Sequence, residues 1–115
     1  MSDKKYLGEL EQLLLMAILR LNNRAYGVEI RQLMLDSINR DVSIGALYTV
    51  LSRLEDKGLL STSVGESSAE RGGRAKKYYR VTAQGQTALH NSIRMIDTLK
   101  DGLALYESHP RLLSS

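Results

Sequence analysis

At 115 residues the chain is one domain, with a core modest enough that a second copy would add much of its stability. It has no cysteine, which excludes disulfides and thiolate metal sites, and no apolar run of signal-peptide or membrane-helix length. A cytoplasmic protein is the expectation, and the net charge of +3 favours an anionic partner only because the cations cluster.

In chain order, Leu7, Leu10, Leu14, Ala17, Ile18 and Leu21 recur at helical spacing and predict a first helix, ended by the polar break Asn22-Asn23-Arg24. Tyr26-Gly27 opens a second, in which Val28, Ile30, Leu33 and Met34 are expected to face the first. Ser43 is placed to cap the orphan amides of a third helix, and Gly58 to stop it. Leu47, Leu51 and Leu54 share one face of that helix, which leaves Ser43, Gly45, Thr49, Ser52 and Arg53 on others.

Past Gly58 the period becomes two. Leu60, Thr62 and Val64 alternate with serines, and Tyr79 and Val81 alternate with Tyr78, Arg80 and Thr82, as two strands covering a core with one face. The polar, glycine-containing stretch between them reads as a long hairpin tip, or wing. Around Gly72-Gly73 it gathers Arg71, Arg74, Lys76, Lys77 and, just beyond, Arg80, with no acid from Arg71 to Arg80. Such a cluster is dense enough to neutralise several phosphates. Thr82 can cap a last helix, along which Leu89, Ile93, Ile96, Leu99 and Leu103 form a stripe longer than the small domain can cover. That stripe predicts a partner helix, most economically the same helix of a second copy.

These elements give a mainly α fold with a small β-hairpin: a winged helix-turn-helix over residues 1–82, a dimerisation helix over 83–107 and a loose tail over 108–115. At this point the chain resembles the PadR family of bacterial transcriptional regulators, in particular its short members with a single C-terminal dimerisation helix. The resemblance runs roughly from Leu7 to Leu103. It is carried by LLLMAIL in the first helix, YGVEI opening the second, VSIGALYTVLSRLEDKGLL in the third and RGGRAKKYYRVTAQG through the second strand. It implies a homodimeric repressor whose third helix and wing bind an operator, released in many relatives by a small molecule or other signal. Thr49 departs from the family pattern, in which proline often follows the tyrosine of the third helix; a changed base preference is the expected consequence. With so little chain after Tyr106, the larger C-terminal domain of the longer subfamily is not expected.

Residue by residue, Ser43, Gly45 and Ala46 are small enough to let a helix enter a major groove. Tyr48 and Thr49 lie a turn on and reach bases or phosphates, and Arg53 lies further along, toward the backbone. Tyr48 admits a second reading as a ring closing the helix on the core, as does Tyr26, whose hydroxyl otherwise meets a phosphate. Ser43 caps its helix under either reading. In the wing, Gly72 and Gly73 allow close approach, Arg71 and Arg74 suit a narrow minor groove, and Lys76 and Lys77 suit phosphates; the alternative is a solvated hairpin kept soluble by its charges. Tyr78 ranks below these.

Double-stranded DNA and a second copy are thus the expected partners. A small-molecule effector between subunits, lined by Leu10, Leu14, Met95, Ile96 and Leu99, competes with a fully packed dimer core. No cofactor, metal site or membrane is expected. An enzyme is disfavoured because His90 and His109 lack a nearby acid and nucleophile, and RNA binding because no strand offers a stacking platform. The rival reading is a winged-helix protein-interaction module that docks a foreign partner on the last helix.

Overall fold

The computed structural model describes residues 6–65 and 76–103. The chain runs α1 (Glu9–Arg20), α2 (Gly27–Ile38), α3 (Ile44–Asp56), β1 (Leu60–Val64), β2 (Lys77–Val81) and α4 (Ala83–Asp101). This is the expected order of helices and hairpin. Wing residues Arg71, Gly72, Gly73 and Arg74, and the proposed tail, lie outside the described residues.

Helix α1 buries Leu14, Leu15, Ala17 and Ile18 as its inner face. Its end is made by asparagine: Asn22 and Asn23 take positive φ of 65° and 56°, a region asparagine tolerates better than most side chains. Asn23 then does the work of a strand. Its Oδ1 accepts from the Val81 N–H at 2.8 Å and its Nδ2 donates to the Val81 carbonyl at 3.3 Å. Two residues on, Ala25 and Tyr79 exchange backbone hydrogen bonds of 3.2 and 2.7 Å. The outer edge of β2 is thereby satisfied by the α1–α2 connection.

Helix α2 opens where Glu29 Oε1 reaches back to accept from the Tyr26 N–H at 3.0 Å, half of a capping box. Ile30 and Met34 are buried, but Val28 is 62% exposed, contrary to expectation. At about 100° per residue Val28 stands roughly 200° round the helix from Ile30, so one face cannot hold both. Arg31 fixes the turn into α3, donating from Nε to the Val42 carbonyl at 2.6 Å and pairing with Asp41 at 3.1 Å.

Helix α3 has the expected ends. Ser43 Oγ accepts from the Ala46 N–H at 3.1 Å. At the other end Gly58, with φ +80°, donates to Glu55 O at 2.9 Å while Leu59 donates to Leu54 O at 2.9 Å, the paired bonds of a Schellman motif. Leu47, Val50, Leu51 and Leu54 are buried.

Strands β1 and β2 pair antiparallel with Leu60 opposite Val81, Thr62 opposite Tyr79 and Val64 opposite Lys77. Leu60, Tyr79 and Val81 face the core as their alternation requires. Val64 is 73% exposed, because the hairpin there has run past the helices that cover it.

Thr82 begins α4, accepting from the Gly85 N–H at 3.0 Å and donating its hydroxyl to Gly58 O at 2.8 Å. Gly85 brings α4 against the Leu59 carbonyl so closely that a β-carbon would collide with it. Leu89 and Ser92 are buried, and Ser92 Oγ accepts from the Leu7 N–H at 3.0 Å. The start of α4 thus packs on the subunit's own core, and Leu89, expected in the open stripe, is buried there. From Arg94 to Leu103 every residue is exposed. Leu14, expected beside an intersubunit space, is fully buried inside α1's core face. No helix among the described residues is long and apolar enough to cross a membrane.

Candidate nucleic-acid interface

The first turns of α3 present Ser43, Gly45, Ala46, Tyr48 and Thr49 on an exposed surface, and a β-carbon built on Gly45 would meet nothing within 4 Å. The small residues leave the helix backbone open to close approach. Tyr48 is 41% exposed, and its hydroxyl end rests on Gly27, where any β-carbon would collide with it. The leading end of α3 is thus seated on the first residue of α2.

Tyr26, the N-cap of α2, is half-buried and its ring meets the edge of Tyr78, with centroids 5.5 Å apart and planes at 88°. Lys76 Nζ stands 4.3 Å from the Tyr26 ring centre, and the Arg24 guanidinium 3.8 Å from that of Tyr78. These distances are well inside the range in which a cation is held by a ring's quadrupole. Position 65 completes the cluster, since a β-carbon on Gly65 would strike the Tyr78 ring. Lys76 on Tyr26, and Gly27 next to Tyr26 under Tyr48, make a chain of contacts from the hairpin root to α3.

The structure separates two lysines that the sequence treats alike. Lys77 lies on the other face of β2, 3.6 Å from Glu55 Oε1 and 5.7 Å from the ring centre of Tyr79. Its charge is thus partly answered inside the protein. Burial, reinforced by nearby Tyr48 and Glu55, pushes the Tyr79 hydroxyl pKa above 10.0 and keeps it neutral.

Arg53 points away from the α3 leading end, into a broad groove between the N-terminus of α1, the second half of α3 and the start of α4. Glu11 lies in this groove, almost buried, with its Oε1 accepting from the Gly8 N–H at 2.9 Å and its Oε2 from Lys57 Nζ at 2.8 Å. Burial alone would raise its pKa. The hydrogen bonds from Lys57 and Gly8 and the charges of Lys57 and Arg53 outweigh it and hold the carboxyl below 4.5.

In the sequence Arg24 carries no functional signal and Tyr78 only a weak one. Arg24 sits in a polar break that reads as a mere helix stop; its spacing from Tyr78 carries no signal, because the contact depends on Asn23 folding the break onto β2.

Four helices and a short hairpin in this order make the chain similar to known proteins. The model of the "Transcriptional regulator PadR-like family" matches residues 15–91, from α1 into α4. The chain belongs to this family. The PadR-family assignment agrees with a solved PadR-like transcription factor from Bacteroides fragilis, 30% identical, with a TM-score of 0.66 over 80% of this chain and 84% of that one. An uncharacterised protein of Lysinibacillus sphaericus is 31% identical over 86% of this chain and 88% of its own length. The fold is also that of F93 from STIV, described as a winged-helix DNA-binding protein, at 17% identity and a TM-score of 0.66 over 82% and 94% of the two chains. The PadR family comprises transcriptional regulators that bind DNA, not enzymes.

Proposed function

We propose that this PadR-family regulator acts as a homodimeric, cytoplasmic repressor that reads a pseudo-palindromic operator, with residues 1–82 and the first turns of α4 as the reading unit. Ser43, Gly45, Ala46, Tyr48 and Thr49 enter the major groove, and Tyr26, Lys76 and the wing residues Arg71, Gly72, Gly73 and Arg74 contact the flanking backbone and minor groove. The observation that carries this reading is the open leading end of α3, with nothing over Gly45 and a cation-bearing hairpin root beside it. Lys77 and Arg53 have secondary places, one beside Glu55 and the other in the α1–α4 groove.

The dimer contact falls to Ile96, Leu99 and Leu103, with Ile93 at its edge. Leu99 is 75% exposed, far more than a leucine in a helix serving one subunit alone requires. With Leu14 in the core, Leu10, Met95, Ile96 and Leu99 are left to line any effector space. Ile96 and Leu99 are also needed to hold the two subunits together, which favours a packed interface over a ligand cavity.

Titrating labelled duplex from upstream of the protein's own gene with the full-length chain, over a range of salt concentrations, tests the reading. Affinity that falls steeply with salt and exceeds that for scrambled duplex is expected. Failure to bind any genomic fragment at any salt overturns it. Light scattering tests the dimer; a monomer that assembles only with a foreign protein would favour the interaction-module reading.

A further inference from the structure

Four side chains stand in a row at the root of the hairpin: Lys76, Tyr26, Tyr78 and Arg24, each cation on the face of its own ring and the two rings edge to face. Arg24 and Lys76 are exposed, and among the described residues neither forms an ion pair with an acid. Lys77, next in sequence to Lys76, leans instead on Glu55.

The difference has a physical meaning. A carboxylate that holds a cation cancels its charge, whereas an aromatic face holds it and leaves the charge whole for a further anion. The rings are themselves fixed. Tyr78 is confined between Gly65, Tyr26 and Arg24. The backbone on either side of Arg24 is tied to β2, through the Asn23 side chain on Val81 and the Ala25 bridge to Tyr79. A guanidinium so placed has already lost much of the rotamer freedom that binding would otherwise remove.

We propose that Arg24 is a further phosphate-contacting residue, held in place by Tyr78 as a positioning residue, so that the DNA contact extends past the hairpin onto the α1–α2 connection. This rests on the DNA-binding reading above. Tyr26, at the start of α2 and beside the Tyr48–Gly27 contact, joins the row to the open face of α3.

The test uses the full-length protein and a duplex that the wild-type chain itself selects from a random pool, with anisotropy titrations across salt concentrations. Arg24→Gln is expected to lower affinity roughly three- to tenfold at low salt and to flatten the salt slope by about one, the signature of one lost phosphate contact. Tyr78→Phe keeps the ring and should bind like wild type. Tyr78→Leu should reproduce the loss, and adding Arg24→Gln to it should cost little more. Wild-type affinity and slope for Arg24→Gln would overturn the assignment of Arg24. Additive losses in the double variant would overturn the positioning role of Tyr78. A wild-type chain that selects no duplex would bring down the DNA-binding reading and this inference with it; selection by wild type with an unaffected Arg24→Gln brings down this inference alone.

Discussion

The hydroxyl end of Tyr48 in α3 rests on the α-carbon of Gly27 in α2, in the space a side chain at position 27 would occupy. Two helices that must keep a fixed angle to each other are thus registered by one ring and one missing β-carbon. Gly27→Ala should displace the Tyr48 ring, and because Tyr48 is 41% exposed and its side chain can swing, the stability cost should be about 1 kcal/mol. DNA affinity should fall by more than stability alone explains. Urea unfolding and duplex titration on the same variant separate the two effects, and the stability cost should shrink in the Tyr48→Ala background.

Gly85→Ala makes the instructive contrast. Its β-carbon would meet the Leu59 backbone carbonyl and Val81 Cγ1, neither of which can turn aside as a side-chain tip can. A loss of about 2–3 kcal/mol is expected, at the upper end of the cost of overpacking. Chemical denaturation of both glycine variants side by side should place Gly85→Ala clearly below Gly27→Ala.

The Glu11–Lys57 pair joins the start of α1 to the end of α3. With its folded pKa depressed below 4.5, Glu11 contributes stability that is fully present above that value and is lost as pH falls through the depressed one. The contribution should be modest, about 1–2 kcal/mol, because the Lys57 side chain keeps 35% of its exposure and water screens the pair. Glu11→Gln should therefore melt below wild type at neutral pH and converge with it in acid. Parallel curves across the whole range would show that the pair contributes nothing.

Ser92 is fully buried and gives the Leu7 N–H its acceptor. Ser92→Ala leaves that donor unpaired, and a loss of about 1–2 kcal/mol is expected. Hydrogen exchange at Leu7 should accelerate well beyond that of the α1 interior.

Leu99→Glu addresses the exposed end of α4. A charge there should not disturb the subunit's own core, from which Leu99 is remote in burial, but should convert a dimer to monomer in light scattering and weaken operator binding severely. An unchanged mass would move the dimer contact elsewhere.

Much of this was legible in the sequence wherever a residue acts on its own neighbourhood. Ser43, Thr82 and Gly58 mark helix ends through bonds that span three to five residues, and the two-residue period of the strands needs no partner to be seen. The failures lie where partners are distant in sequence. Val28 and Ile30 share hydrophobicity although helical geometry sets them apart, and Leu89 continues the stripe to Leu103 in spacing although Leu89 is buried and Leu103 exposed. Glu11 is polar by type and almost buried in fact, because Lys57, 46 residues on, comes to meet it. Arg24 and Tyr78 met for the same reason, through Asn23.

The hairpin is closed at its root by the Gly65 N–H donating to Lys76 O at 2.7 Å, and β2 is held along its outer edge by Asn23 and Ala25. These bonds make the root a socket. The register of β1 on β2 is therefore set at Gly65 and Lys76 by the backbone and the α1–α2 connection alone, through bonds that need no wing side chain.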